Sequence, residues 1–238
     1  MVSTVIKNWD NNTWLSSNDY IRAFNIFLTK NAKLSSKSRI LDIGCGRGKI
    51  IGTLSSKLKL KNKPIGIDIV NHKDRDKRFN FKKINASIFY SKNKKKFDLI
   101  LIKQTIHLLS IYEIKKVLSL SKKNLSPNGK ILIFTLNTNN NKIPTFELMK
   151  NKLIKSLKRD KKILNLIIKL HPNKIIKKFI YKVRISKKKY LKMIQKRYIS
   201  ILLPLSLKEL SNGIKQIDLK FNKLLRFNDN LICIIIKN

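Results

Sequence analysis

Between positions 40 and 48 the chain reads Ile-Leu-Asp-Ile-Gly-Cys-Gly-Arg-Gly. An apolar run containing an acid opens into three glycines at alternate positions, Gly44, Gly46 and Gly48. Glycines so spaced let the backbone turn with positive φ and approach a ligand closely. A second acid, Asp68, stands twenty-four residues after Gly44 and closes the next apolar run. A carboxylate there can accept hydrogen bonds from both hydroxyls of a ribose, as in dinucleotide-binding folds. The nicotinamide fingerprint G-x-G-x-x-G would place its third glycine at position 49, which is Lys49. The actual G-x-G-x-G, preceded by Asp42, suits a nucleoside that carries an ammonium group and no pyrophosphate. S-adenosylmethionine fits that description.

The elements that must position these residues are read from periodicity. Arg39–Ile43 is a strand entering the glycine turn, and Lys49–Leu60 a helix with Ile50, Ile51, Leu54 and Leu58 at helical spacing. Strands follow at Pro64–Asp68, Phe79–Ile84, Phe97–Ile102 and Lys130–Leu136, with a helix at Ile111–Leu120 and a turn at Ser126–Gly129. The alternation predicts a Rossmann-like α/β fold, a doubly wound and mostly parallel sheet with helices on both faces. After Leu136 the reading is helical over Phe146–Leu170, Lys187–Leu202 and Leu207–Leu219, with Ser186 and Ser206 as N-caps. The chain closes on an apolar, antiparallel strand, Leu231–Ile236, which Phe227–Asn230 introduces as a hairpin turn. One domain over 1–238 is expected, with a lid segment at 1–36 and a mainly helical cap insert at 142–205 over the carboxyl edge of the sheet.

Strand, Asp42, spaced glycines, helix and distal Asp68 together resemble the class I S-adenosylmethionine-dependent methyltransferases, over about residues 37–137. The resemblance implies S-adenosyl-L-methionine as cofactor. Asp42, Gly44, Cys45, Gly46 and Gly48 would wrap its methionine part, with Lys103 nearby, and Asp68 would bind the ribose with Ile69 beside it. Asn85, Ala86 and Ser87 stand where the family flanks the adenine. The family commonly has Asp where Asn85 stands, though an Asn side-chain oxygen can still accept from the adenine amino group. The segment Lys103-Gln104-Thr105-Ile106-His107 falls where the family meets its acceptor.

The acceptor is approached by elimination. The Asn/Asp-Pro-Pro-aromatic motif of amino-methyltransferases is absent. Neither Cys45, in the glycine loop, nor Cys233, in the last strand, suits base-carbon methylation through a cysteine. Tyr190–Tyr198, Gly213-Ile214 and Leu231–Cys233 are similar to the small-molecule methyltransferases of the trans-aconitate type. Trp9, Asp10 and Trp14–Tyr20 are similar to a segment that folds over the cofactor in related enzymes. His107 is the candidate general base, since imidazole titrates near neutrality. Gln104, Trp14, Arg197 and Tyr198 are the remaining acceptor candidates, Arg197 because guanidinium grips carboxylates. A small anionic metabolite is the expected acceptor; an rRNA or tRNA is the alternative.

Charge favours the alternative. With 54 Lys and Arg against 13 Asp and Glu in 238 residues, the net charge is +41, so weak nonspecific attraction to nucleic acid is expected. The lysines are spread from end to end, however, and Lys far outnumbers Arg, the better base and phosphate reader. An AT-rich coding sequence accounts for that bias. No apolar run approaches the roughly 18 residues of a membrane span, and MVSTVIKNWDNN carries no apolar leader core. Two cysteines far apart match neither a disulfide framework nor a cysteine metal site, so a cytoplasmic setting and no metal are expected. Oligomeric state is not readable.

Overall fold

The computed structural model describes residues 13–139 and 141–238. Trp9, Asp10 and the rest of the first twelve positions of the expected lid lie outside the described residues. A seven-stranded sheet runs in the order β3-β2-β1-β4-β5-β7-β6. Its strands are β1 (Ile40–Ile43), β2 (Ile65–Asp68), β3 (Asn80–Lys83), β4 (Phe97–Lys103), β5 (Leu125–Leu136), β6 (Ile175–Ser186) and β7 (Leu224–Lys237). β1 to β5 are parallel to one another, while β7 runs antiparallel to both β5 and β6. The inner strands bury both faces, which explains why Leu99–Ile102 of β4 and Leu231–Ile236 of β7 read as unbroken apolar runs.

Helices cover the two faces. α1 (Asn18–Ala32), α2 (Lys49–Leu58), α6 (Lys187–Gln195) and α7 (Leu207–Lys220) pack on one through Tyr20, Phe24, Leu28, Leu54, Tyr190 and Ile217. α3 (Ala86–Lys92), α4 (Ile111–Lys123) and the second half of α5 (Glu147–Leu170) pack on the other through Phe89, Ile114, Leu118, Ile163 and Ile167. Strand order reverses between β1 and β4. The crevice beyond their carboxyl ends is where open α/β sheets bind ligands.

The stretch 142–205 holds, besides its helices, the twelve-residue edge strand β6, fully zipped to β7. β6 alternates from Phe179, with Phe179, Tyr181, Val183 and Ile185 turned inward and Ile180, Lys182 and Arg184 outward. Asn228-Asp229-Asn230 is not a hairpin turn but lies inside β7, paired with Lys182, Tyr181 and Ile180. The helix from Lys187 stops at Gln195, in a Schellman closure. The Tyr198 N–H donates to the Met193 carbonyl at 3.1 Å and Arg197 N–H to Ile194 at 2.9 Å, with Arg197 itself at φ 53°. The Ser126–Gly129 turn survives as an excursion within β5, since Phe97 pairs with Leu125 and Leu99 already with Lys130.

Candidate active site

β1 delivers Asp42 and then the glycine loop. Gly44, Gly46 and Gly48 have φ of 71°, 53° and 66°, the left-handed region that other residues enter only at a cost. Each has a separate reason to lack a side chain. A Cβ on Gly44 would stand 2.2 Å from the Thr105 hydroxyl, and one on Gly48 2.1 Å from the Phe79 ring. A Cβ on Gly46 would meet no atom within 4 Å. Gly46 is therefore bare toward open space, which is what a loop that cradles a ligand requires.

Asp68 ends β2 and holds this loop in place. Its Oδ2 accepts from the Gly46 N–H at 2.9 Å and its Oδ1 from the Val70 N–H at 2.9 Å. Each carboxylate oxygen keeps a further acceptor site, enough for two ribose hydroxyls. Ile69, next along, is 63% exposed, an apolar wall at the carboxyl end of β2. Ile88, exposed on the first turn of α3, forms a second such wall that the sequence reading missed. Ala86 and Ser87 open α3, and Asn85 caps it, its Oδ1 accepting from the Ile88 N–H at 2.9 Å. That oxygen, assigned above to the adenine, is already engaged in holding the helix. Cys45 is a neutral packing residue, since burial and the nearby Asp42 and Asp68 push its thiol far up.

Asp42 is buried, and its carboxyl is pushed up to about 7 chiefly by that burial; Lys103 opposes the shift and Asp68 adds to it. A buried acid of this kind favours an incoming cation. Open space at Gly46, the ribose-bearing position of Asp68, the exposed walls and the buried Asp42 together fit S-adenosylmethionine.

The acceptor candidates divide. Trp14 and Tyr198 come together at ring centroids 5.4 Å apart, with Phe227 5.1 Å from Trp14. At their centre is a residue the sequence reading placed in a turn. The Trp14 Nε1–H donates to Asp229 Oδ2 at 3.1 Å. The Lys103 ammonium lies over the rings of Tyr20 and Phe24, 5.4 and 5.5 Å from their centroids, and acts on both Asp42 and Asp229. Gln104 sits at φ 51° and turns the chain so that Thr105 covers Gly44. Arg197 is not an anion holder here. Its Nη1 donates to the carbonyls of Leu202, Leu203 and Leu205 at 2.6, 3.1 and 2.5 Å, clamping the loop after α6. The Tyr198 hydroxyl is paired with that of Tyr190 at 3.0 Å. His107 faces α5: burial lowers its pKa, and the neighbouring Asp160 carboxyl works against that shift. It is grouped with Asp160 and Arg159 rather than with Trp14 and Tyr198.

Residues 34–197 match the Methyltransferase domain family. The chain belongs to that family. It is a class I S-adenosylmethionine-dependent methyltransferase. Solved structures share the fold of this methyltransferase. A putative methyltransferase from an antibiotic biosynthesis pathway of Anabaena variabilis superposes with a TM-score of 0.64 at 13% identity, over 90% of this chain and 96% of that one. A plantazolicin methyltransferase, bound to a monoazolic desmethylPZN analog and SAH, gives 0.55 at 20% identity over 97% and 88%. A SAM-dependent methyltransferase from Archaeoglobus fulgidus gives 0.53 at 20% identity over 92% and 94%. No curated protein matches the chain.

Proposed function

We propose that this methyltransferase transfers the methyl group of S-adenosylmethionine to a small molecule. One observation carries the reading. Beside Lys103, at the end of β4, buried side chains from four separate parts of the chain pack together: Trp14 before α1, Tyr20 on α1, Tyr198 after α6 and Phe227 with Asp229 on β7. A compact acceptor fits such an enclosure; a polynucleotide does not. The resemblance to enzymes of the trans-aconitate type and the fold shared with a plantazolicin methyltransferase agree with it.

S-adenosylmethionine, when bound, supplies an electrophilic methyl group on sulfur. The chain's part is to hold the acceptor atom in line with it and to exclude water, and orientation of that kind accounts for most of the rate. The anionic character expected of the acceptor loses its support here. Arg197 and Tyr198 are engaged internally, and the Lys103 charge is shared between two buried carboxyl groups. Incubation with methyl-labelled cofactor and fractionated cell extract tests the reading. Label is expected in the small-molecule fraction; label confined to RNA overturns it.

A further inference from the structure

Asp229 breaks the local rules of its own strand. Asn-Asp-Asn is turn chemistry, poorly suited to a strand interior, yet it lies within β7, and Asp229 is 2% exposed. Departures of this kind collect where a site needs them. Its position supports that. Leu231 makes the last pair with β5, opposite Leu136, so Asp229 stands just past the carboxyl edge of the parallel strands. It is on the same sheet face as Leu231, Phe227 and α1. Lys103, at the end of β4, acts on Asp229 and on Asp42 alike, so one side chain links this carboxyl to the cofactor loop. The Tyr20 hydroxyl, fully buried beside Asp229, has no hydrogen-bond partner in good geometry.

We infer that Asp229, with the Tyr20 hydroxyl beside it, is the catalytic carboxylate that holds the acceptor through an N–H or O–H group and removes that proton. The inference rests on the small-molecule reading and adds the acceptor's class: a neutral, protic nucleophile, an amine, amide or hydroxyl. The acceptor atom gives a lone pair to the methyl carbon, the carbon–sulfur bonding pair stays on sulfur, and the acceptor's proton passes to an Asp229 oxygen. Charge balances, since a sulfonium becomes a thioether as a carboxylate becomes a carboxylic acid. Burial raises the Asp229 pKa, the Trp14 hydrogen bond, Lys103 and the nearby Tyr20 hydroxyl lower it, and Tyr198 is the other ionisable group that feels it. The balance makes it a stronger base than an exposed aspartate.

Two variants test this, each assayed as a full chain with labelled cofactor and the small-molecule fraction of a cell extract, and by calorimetric titration with S-adenosylhomocysteine. Asp229→Asn is expected to bind S-adenosylhomocysteine as the wild type does and to lose about 100-fold or more in label transfer. Trp14→Phe removes a hydrogen bond that holds the Asp229 pKa down, so the acid limb of its pH–rate profile should move to higher pH. An unmoved limb overturns the inference even where Asp229→Asn is inactive or unfolded, because a merely structural carboxyl gives that pattern. Equal small-molecule labelling by wild type and Asp229→Asn overturns this inference alone. Wild-type label in RNA only overturns the small-molecule reading and the inference with it.

Discussion

Gly46 and Gly48 differ by two positions and by what their missing side chains protect. Gly48→Ala drives a methyl into the Phe79 ring, packed on the first turn of α2. Gly46→Ala meets nothing, so the protein bears only the left-handed strain of about 1–2 kcal/mol. Thermal unfolding should therefore show Gly48→Ala to be the less stable, whereas calorimetry should show at least a tenfold weaker S-adenosylhomocysteine affinity in Gly46→Ala, whose methyl projects into the ligand's space. Equal affinity to the wild type would mean that the loop does not touch the ligand. Asp42 predicts a pH dependence. Its folded pKa of about 7 lies above the ordinary carboxyl value, so the folded state holds an extra proton between about pH 4 and 7. Its contribution to stability is full below that window and is lost as pH rises through it. The cofactor's ammonium favours the ionised form, so binding below pH 7 should release a proton. Titrations at pH 6 in two buffers of different ionisation enthalpy read that release directly, and Asp42→Asn should abolish it.

At the scale of elements, β6 carries the test of the architecture. Phe179 is packed by Tyr20, Phe24 and Phe27 of α1, with ring centroids 5.0–5.7 Å away. Phe179→Ala should cost about 3–5 kcal/mol in urea denaturation. Ile180→Thr, one step along and on the exposed face, should change stability by about 0.5 kcal/mol or less. A similar small loss for both would make β6 a loosely attached flap instead of part of the core. This strand also marks how far the sequence could be read. β1, β2, β4, α4 and α7 stand within a few residues of their expected places, since buried parallel strands and capped helices leave local signals. Ser206 with Glu209 forms a capping box, and so does Ser110 with Glu113. The β6 alternation from Phe179 to Ile185 is equally legible, but it falls in the stretch between the helices expected at Phe146–Leu170 and Lys187–Leu202, to which the reading assigns no element. Asp229 was unreadable for another reason. Its tolerance in β7 depends on Trp14, 215 residues away, and turn propensity is a local quantity blind to such a partner. The glycine loop and Asp68 lie in one short stretch of sequence, where their placement is legible. The cluster around Trp14 and Tyr198 is assembled by tertiary packing, so the internal engagement of Arg197 and the burial of His107 against α5 leave no local signal.

The whole molecule sets a net charge of +41 against a site enclosed on one face of the sheet. Part of that charge lies away from the site. Lys178, Lys182 and Arg184 of β6 and Arg226 of β7 point away from the Asp229 side, exposed on the opposite face of the same ribbon. Polyanions should therefore bind this protein without reaching its crevice. Such binding works by counterion release and weakens steeply with salt, by about 10³–10⁵ between 50 and 200 mM for six to ten phosphate contacts. Fluorescence anisotropy with a random-sequence RNA should show association at low salt that is gone near 150 mM, while label transfer to the small-molecule fraction persists across the range. Reversing Lys178, Lys182 and Arg184 to Glu should weaken the RNA association and leave transfer unchanged. RNA retained at 150 mM with a sequence preference, and lost together with transfer in the reversed variant, would make the basic face part of the acceptor site and return RNA to the role of substrate.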